Sequence, residues 1–137
     1  MGNWGAGNFD DDVARDYLAD VIRRFERVIE RIITGDIPEE AMGMDNALDA
    51  GERILLPTVE IISALHDALH SDYLPRPETI SRWAKAYPLR VEPLLQRLDL
   101  SCYEQWYFPE RRPIVAATFE RLLRQSRALY GDSKQGG

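Results

Sequence analysis

The 137-residue chain contains a single cysteine, Cys102, no apolar run that approaches bilayer thickness, and no stretch in which apolar and polar residues alternate. One thiol excludes an intramolecular disulfide framework and any all-thiolate zinc site. A membrane-spanning helix needs roughly 20 consecutive apolar residues, and none are present. The missing alternation, together with the absence of an Asn-Gly or Asp-Gly turn between β-branched runs, argues against hairpins and sheets. No period of solenoid length repeats. The opening residues lack a basic flank and an apolar core, and Ala6 stands where a myristoylation signal needs Ser or Thr. A cytoplasmic protein is expected, with no membrane partner and no cofactor.

With 45% hydrophobic and 29% charged residues, the composition is that of one ordinary globular domain. The net charge of −6 is unevenly placed. Residues 1–50 hold 12 acidic and 5 basic side chains, whereas residues 51–137 hold 11 acidic and 12 basic. Such an acidic first part repels a phosphate backbone, so nucleic acid is not an expected partner. A cation or a basic protein is attracted instead.

Apolar residues recur at three- and four-residue steps from Val13 to Ile33, through Tyr17, Leu18, Val21, Ile22, Phe25, Val28, Ile29 and Ile32, which predicts a long amphipathic helix. Asp10 is the expected N-cap and Gly35 the stop. Ile37 to Ala41 reads as one proline-initiated turn. A second long helix is expected from Asn46 to Leu69, kinked or divided by Pro57, with Ala50, Ile54, Ile61, Leu65 and Leu69 inward. Ile80, Trp83 and Ala84 face inward on a short helix that Pro88 should end. Val91 to Leu98 forms another, Ser101 to Glu104 matches a capping box, and a last helix starts at Pro109 or Pro113 and ends before Gly131. The predicted architecture is all-α: one compact bundle of five to seven helices over residues 1–131, two of them long. A glycine-rich arm (1–9) precedes it and a disordered tail (132–137) comes after it.

The chemistry-bearing patterns are few. Gly2, Gly5 and Gly7 precede a helix, but no strand comes before them and no Lys-Ser/Thr comes after, so they do not form a phosphate loop. Asp10, Asp12 and Asp16 offer oxygen ligands to a hard cation, without the EF-hand spacing. They serve helix capping and dipole compensation equally well. His66 and His70, at i,i+4 with Asp67 between them, resemble an H-E-x-x-H helix but have Asp where Glu acts as base. These two sets define one alternative, a metal-dependent hydrolase. Tyr103, Trp106, Tyr107 and Phe108, succeeded by Arg111 and Arg112, put more large rings in sequence than one helix face can bury. Aromatic and arginine side chains are common interface anchors.

The opening Trp4-Gly5-x-Gly7-x-Phe9-Asp10-x-Asp12-x-Ala14-x-Asp16-Tyr17 resembles the signature of a bacterial family catalogued as domain of unknown function 4259. Its members begin W-G-x-G-x-F-[DE]-[ND]-D ahead of a helix. Residues 46–69 resemble that family's Ala-rich helix, with Glu60 at its internal glutamate, and Trp106 resembles a tryptophan near the start of its last helix. The chain departs at Asp11, where Asn is common, and between Pro88 and Pro113. The resemblance implies a small bacterial helical protein and supplies no catalytic residue.

These features together describe a non-catalytic acidic binding module, most simply an immunity protein that neutralises a basic cognate toxin. Asp36, Glu39, Glu40, Asp45 and Asp49 are the expected contacts, with Tyr103, Trp106 and Tyr107 as anchors and no catalytic or metal-ligating residue assigned. A homo-oligomeric structural module is the third class considered.

Overall fold

The computed structural model describes residues 7–36, 38, 39, 50–97 (backbone alone for 91–97) and 111–131. Among them are four α-helices and no strand: α1 (Asp12–Thr34), α2 (Leu56–Leu69), α3 (Pro77–Arg97) and α4 (Arg112–Tyr130). A π-helical turn, Gly51–Leu55, leads into α2 without a break. The all-α class holds; the described residues contain four helices, and the expected count of five to seven also depends on residues outside them. The capping box at Ser101 lies outside the described residues, as do residues 1–6 of the arm and the tail from 132 onward.

The cap of α1 is Asp11, not the expected Asp10. Asp11 is extended (φ −101°, ψ 137°), and its carboxylate accepts the Val13 N–H at 2.7 Å. Asp10 instead turns back on the arm: its carboxylate accepts the Gly7 N–H at 2.8 Å, and its own N–H donates to the Gly7 carbonyl. Gly35 ends the helix as predicted, at φ 87°, a left-handed conformation that costs glycine little. Leu18, Ile22, Ile29, Ile32 and Ile33 form the buried face.

Pro57 divides the second helix by a specific device. It has no N–H, and its ring crowds the carbonyl four residues back, so the turn before it widens. The Leu56 N–H donates to the Gly51 carbonyl, five residues earlier. One extra residue rotates the remainder of α2 by about 100° relative to a regular helix. For that reason Ile61, expected inward, is exposed, and the buried face runs through Leu55, Val59, Ile62 and Ser63.

Pro88 does not end its helix. The expected separate segments from Ile80 and from Val91 are one helix, α3, continuous to Arg97. An interior proline costs about 3 kcal/mol, and tertiary anchors flank this one. Trp83 and Tyr87 are buried before it, and the Arg90 guanidinium after it donates to the Ile33 carbonyl at 2.9 Å.

Both α1 and α4 pack against α2 and α3, while α1 and α4 scarcely touch. The four helices therefore occupy the corners of a square, with α1 diagonal to α4. Glu30 pairs with Arg82, and Ile33 with Arg90, so α3 runs parallel to α1. Ser126 meets Pro75 at the start of α3, so α4 runs back against it. Trp83, Tyr87, Ile22, Ile29, Leu55, Ile62, Leu74, Ile80 and Leu122 fill the centre, and Phe119 tilts onto Tyr87 at 6.2 Å between ring centroids. No helix among the described residues is long and apolar enough to cross a membrane.

Candidate functional site

Capping α1 at Asp11 sends Asp12 and Asp16 outward on successive turns, beside Phe9 and Asp10 from the arm. Across from them stands Asp72, on the connector between α2 and α3. Together with Arg15 they line an open cleft of about 660 Å³. The Arg15 guanidinium grips both Asp72 oxygens, at 2.8 and 2.7 Å, and donates to the His70 carbonyl at 2.7 Å. This two-pronged bond holds the Asp72 carboxyl below the usual carboxylate range and raises the guanidinium in turn. The one cation among the described lining residues is thereby neutralised, and those residues keep an excess of carboxylate.

The connector is fixed from α4. The Tyr130 hydroxyl accepts the Leu74 N–H at 3.0 Å and donates to the Leu74 carbonyl at 2.6 Å, while the Ser126 hydroxyl donates to the Pro75 carbonyl at 2.6 Å. On the other side the Tyr73 hydroxyl donates to Glu26, and Arg23 lies over the Tyr73 ring at 4.5 Å. Burial, and then the Glu26 hydrogen bond, push the Tyr73 phenol well up.

Beside the cleft, α1 presents a surface that its sequence stripe assigned to the core. Val13 is 76% exposed and Tyr17 58% exposed. They stand one helical turn apart, with the exposed Asp12, Asp16 and Asp20 alongside. The stripe spans a wider arc than two neighbouring helices can cover, and its edge residues at the start of α1 remain outside the bundle. An aromatic face and an aliphatic group within a rim of carboxylates suit a basic protein surface.

Asp10, Asp12 and Asp16 share the cleft, whereas His66 and His70 do not line it. Asp10 is engaged with the Gly7 N–H. His70 is the left-handed C-cap of α2 (φ 53°), and its N–H donates to the His66 carbonyl at 2.8 Å. The Ser71 hydroxyl donates to the Tyr73 carbonyl, so the His66 Nδ1, 2.9 Å from that hydroxyl, acts as the donor. Burial first, and then the nearby His70, lower the His66 pKa. Among the described residues, no group of three or more His, Cys, Asp and Glu is arranged to hold a metal ion.

Of the expected partner contacts, Asp36 and Glu39 are exposed past the far end of α1, and Asp36 accepts from the Arg31 Nε at 3.0 Å. Glu40, Asp45, Asp49, Tyr103, Trp106 and Tyr107 lie outside the described residues. Sequence reasoning missed Asp72, which stands 57 residues from Arg15 with no local pattern to join them. It also missed Tyr17 as a surface group, although the flanking Asp16 and Asp20 were a legible signal.

No family model matches this chain, and no curated protein or solved structure matches it.

Proposed function

We propose that the chain is a non-catalytic protein-binding module whose acidic face engages a basic protein, in the manner of a bacterial immunity protein that covers and neutralises a cognate toxin. The supporting observation is the exposed Val13–Tyr17 pair among Asp12, Asp16 and Asp20. Toxic nucleases carry basic surfaces because they approach nucleic acid, and an acidic ligand competes for the same surface. The proposal extends along the acidic first part of the chain to Asp36, Glu39, Glu40, Asp45 and Asp49, with Tyr103, Trp106 and Tyr107 as further anchors. The resemblance of the opening to the bacterial family points to the same setting.

The test is co-purification of tagged wild type, Tyr17→Ala and Asp16→Lys from the native host. The expected partner is a basic protein that wild type retains at low salt and releases at high salt, and that both variants lose. Its gene expressed alone should arrest growth, and co-expression with this chain should restore growth. A chain that emerges alone, or a partner held equally by all three proteins, overturns the reading.

A further inference from the structure

On the seam between α2 and α4, away from the acidic face of α1, lies a groove of about 410 Å³. Its lining mixes apolar groups with Glu52, Glu60, Arg111 and Thr118. Ile61 from α2 is 44% exposed and Ile114 from α4 is 51% exposed, with the buried Leu56 and the exposed Pro57 and Ala64 beside them. Aliphatic groups open on both sides of one groove offer apolar area for a ligand to bury.

The charge of the groove indicates what that ligand is. Among the described residues three ionisable groups line it: Glu52, Glu60 and Arg111. The Arg111 Nε donates to Glu52 at 3.0 Å, and the other Glu52 oxygen accepts the Tyr87 hydroxyl at 2.6 Å. Glu52 and Arg111 are thus satisfied by each other and by a buried tyrosine. Glu60 is exposed and has no ion-pair or hydrogen-bond partner among the described residues. Among the described residues the lining therefore carries one surplus negative charge, at Glu60 beside the two open isoleucines.

The head of the groove is also rigid. Gly51 brings the π turn against Tyr87 so closely that a Cβ there would stand 2.3 Å from the tyrosine ring. That contact holds Glu52 in place, and a preorganised groove loses less entropy when it is filled.

We propose that the α2–α4 groove is a docking site for a peptide segment of a partner protein that places an aliphatic or aromatic side chain between Ile61 and Ile114 and a lysine or arginine on Glu60. This inference is independent of the acidic face of α1. A groove with two open isoleucines and an acidic rim at Glu60 matches such a segment, and it disfavours an acidic one.

A phage-displayed peptide library panned on the full chain tests it. Enriched sequences should carry Lys or Arg within one helical turn of Leu, Ile, Met or Phe. Synthetic versions measured by fluorescence anisotropy should bind Ile61→Asp and Glu60→Lys about tenfold more weakly or worse than wild type. Leu89→Asp, which replaces an exposed apolar residue on α3 outside the groove, should leave binding unchanged, and thermal melts should show that all three variants fold. Absence of enrichment, an acidic or uncharged consensus, or binding that ignores both groove variants overturns the proposal. So does a concentration-dependent dimer in light scattering that Ile61→Asp abolishes, since a second copy would then occupy the groove.

Discussion

The two ends of the square bundle are held by different physics. Where α2 turns into α3, a connector with little regular structure is tied down by hydrogen bonds from side chains more than 50 residues away: Tyr130 on Leu74, Ser126 on Pro75, Arg15 on Asp72. Where the π turn meets α3, the decisive feature is a missing side chain, because Gly51 admits the Tyr87 ring and fixes the Glu52–Arg111 pair beside it. The first end supports the acidic cleft and the second supports the α2–α4 groove. Hydrogen-bonded support tolerates small movements and fails gradually as bonds are removed. Steric support fails at once when volume is added.

The largest expected effect breaks the steric end. Gly51→Val places two methyl groups where the Tyr87 ring lies and should cost about 3 kcal/mol in chemical denaturation. Gly51→Ala should cost about 1–2 kcal/mol. Its sign is informative, because helix propensity alone makes Gly→Ala favourable by about 1 kcal/mol. Combining Gly51→Ala with Tyr87→Leu should recover part of the loss. Strict additivity of the two would show that the contact is not the cause.

At the hydrogen-bonded end, Tyr130→Phe leaves the buried Leu74 without its donor and its acceptor, and about 1–2 kcal/mol should be lost. Hydrogen exchange at the Leu74 amide should accelerate, and the affinity of a basic partner for the nearby cleft should fall. Ser126→Ala removes a single bond to Pro75 and should cost about 1 kcal/mol. An unchanged Leu74 exchange rate in Tyr130→Phe would show that the connector is held by packing alone.

The same contrast governs what was legible in the sequence. Helix α1 was readable because its period and its stop at Gly35 are local signals. The support of both ends was not. A proline announces a break but not its form: Pro57 produced a π turn that rephased α2 and turned Ile61 outward, while Pro88 was carried inside α3 by Tyr87 and Arg90. A bond such as Arg15 to Asp72 leaves no trace in a window of any length. Of the candidate surfaces, the carboxylates near Asp12 were visible in the charge asymmetry. The groove was not visible, since it depends on the phase of α2 and on a helix about 60 residues further along.

Between the two ends, the Glu30–Arg82 pair joins α1 to α3, and it should give the smallest effect. Arg82 holds the Glu30 carboxyl below its ordinary value, chiefly through the hydrogen bond between them. A carboxyl whose folded pKa is depressed stabilises the fold fully above its unfolded pKa of about 4.3, and that contribution is lost as pH falls through the folded value. Arg82→Met should therefore lower stability at neutral pH and make the acid limb of the stability curve, below about pH 4.3, shallower than in wild type. The side chains are 52% and 31% exposed, so solvent screening limits the loss at pH 7 to under about 1 kcal/mol. Added salt should shrink the difference further, which neither end should show to the same degree. Denaturation curves for both proteins from pH 2 to 7 would check this. A constant gap between them at every pH would assign the effect of Arg82 to the packing of its aliphatic stem on α1 and not to its charge.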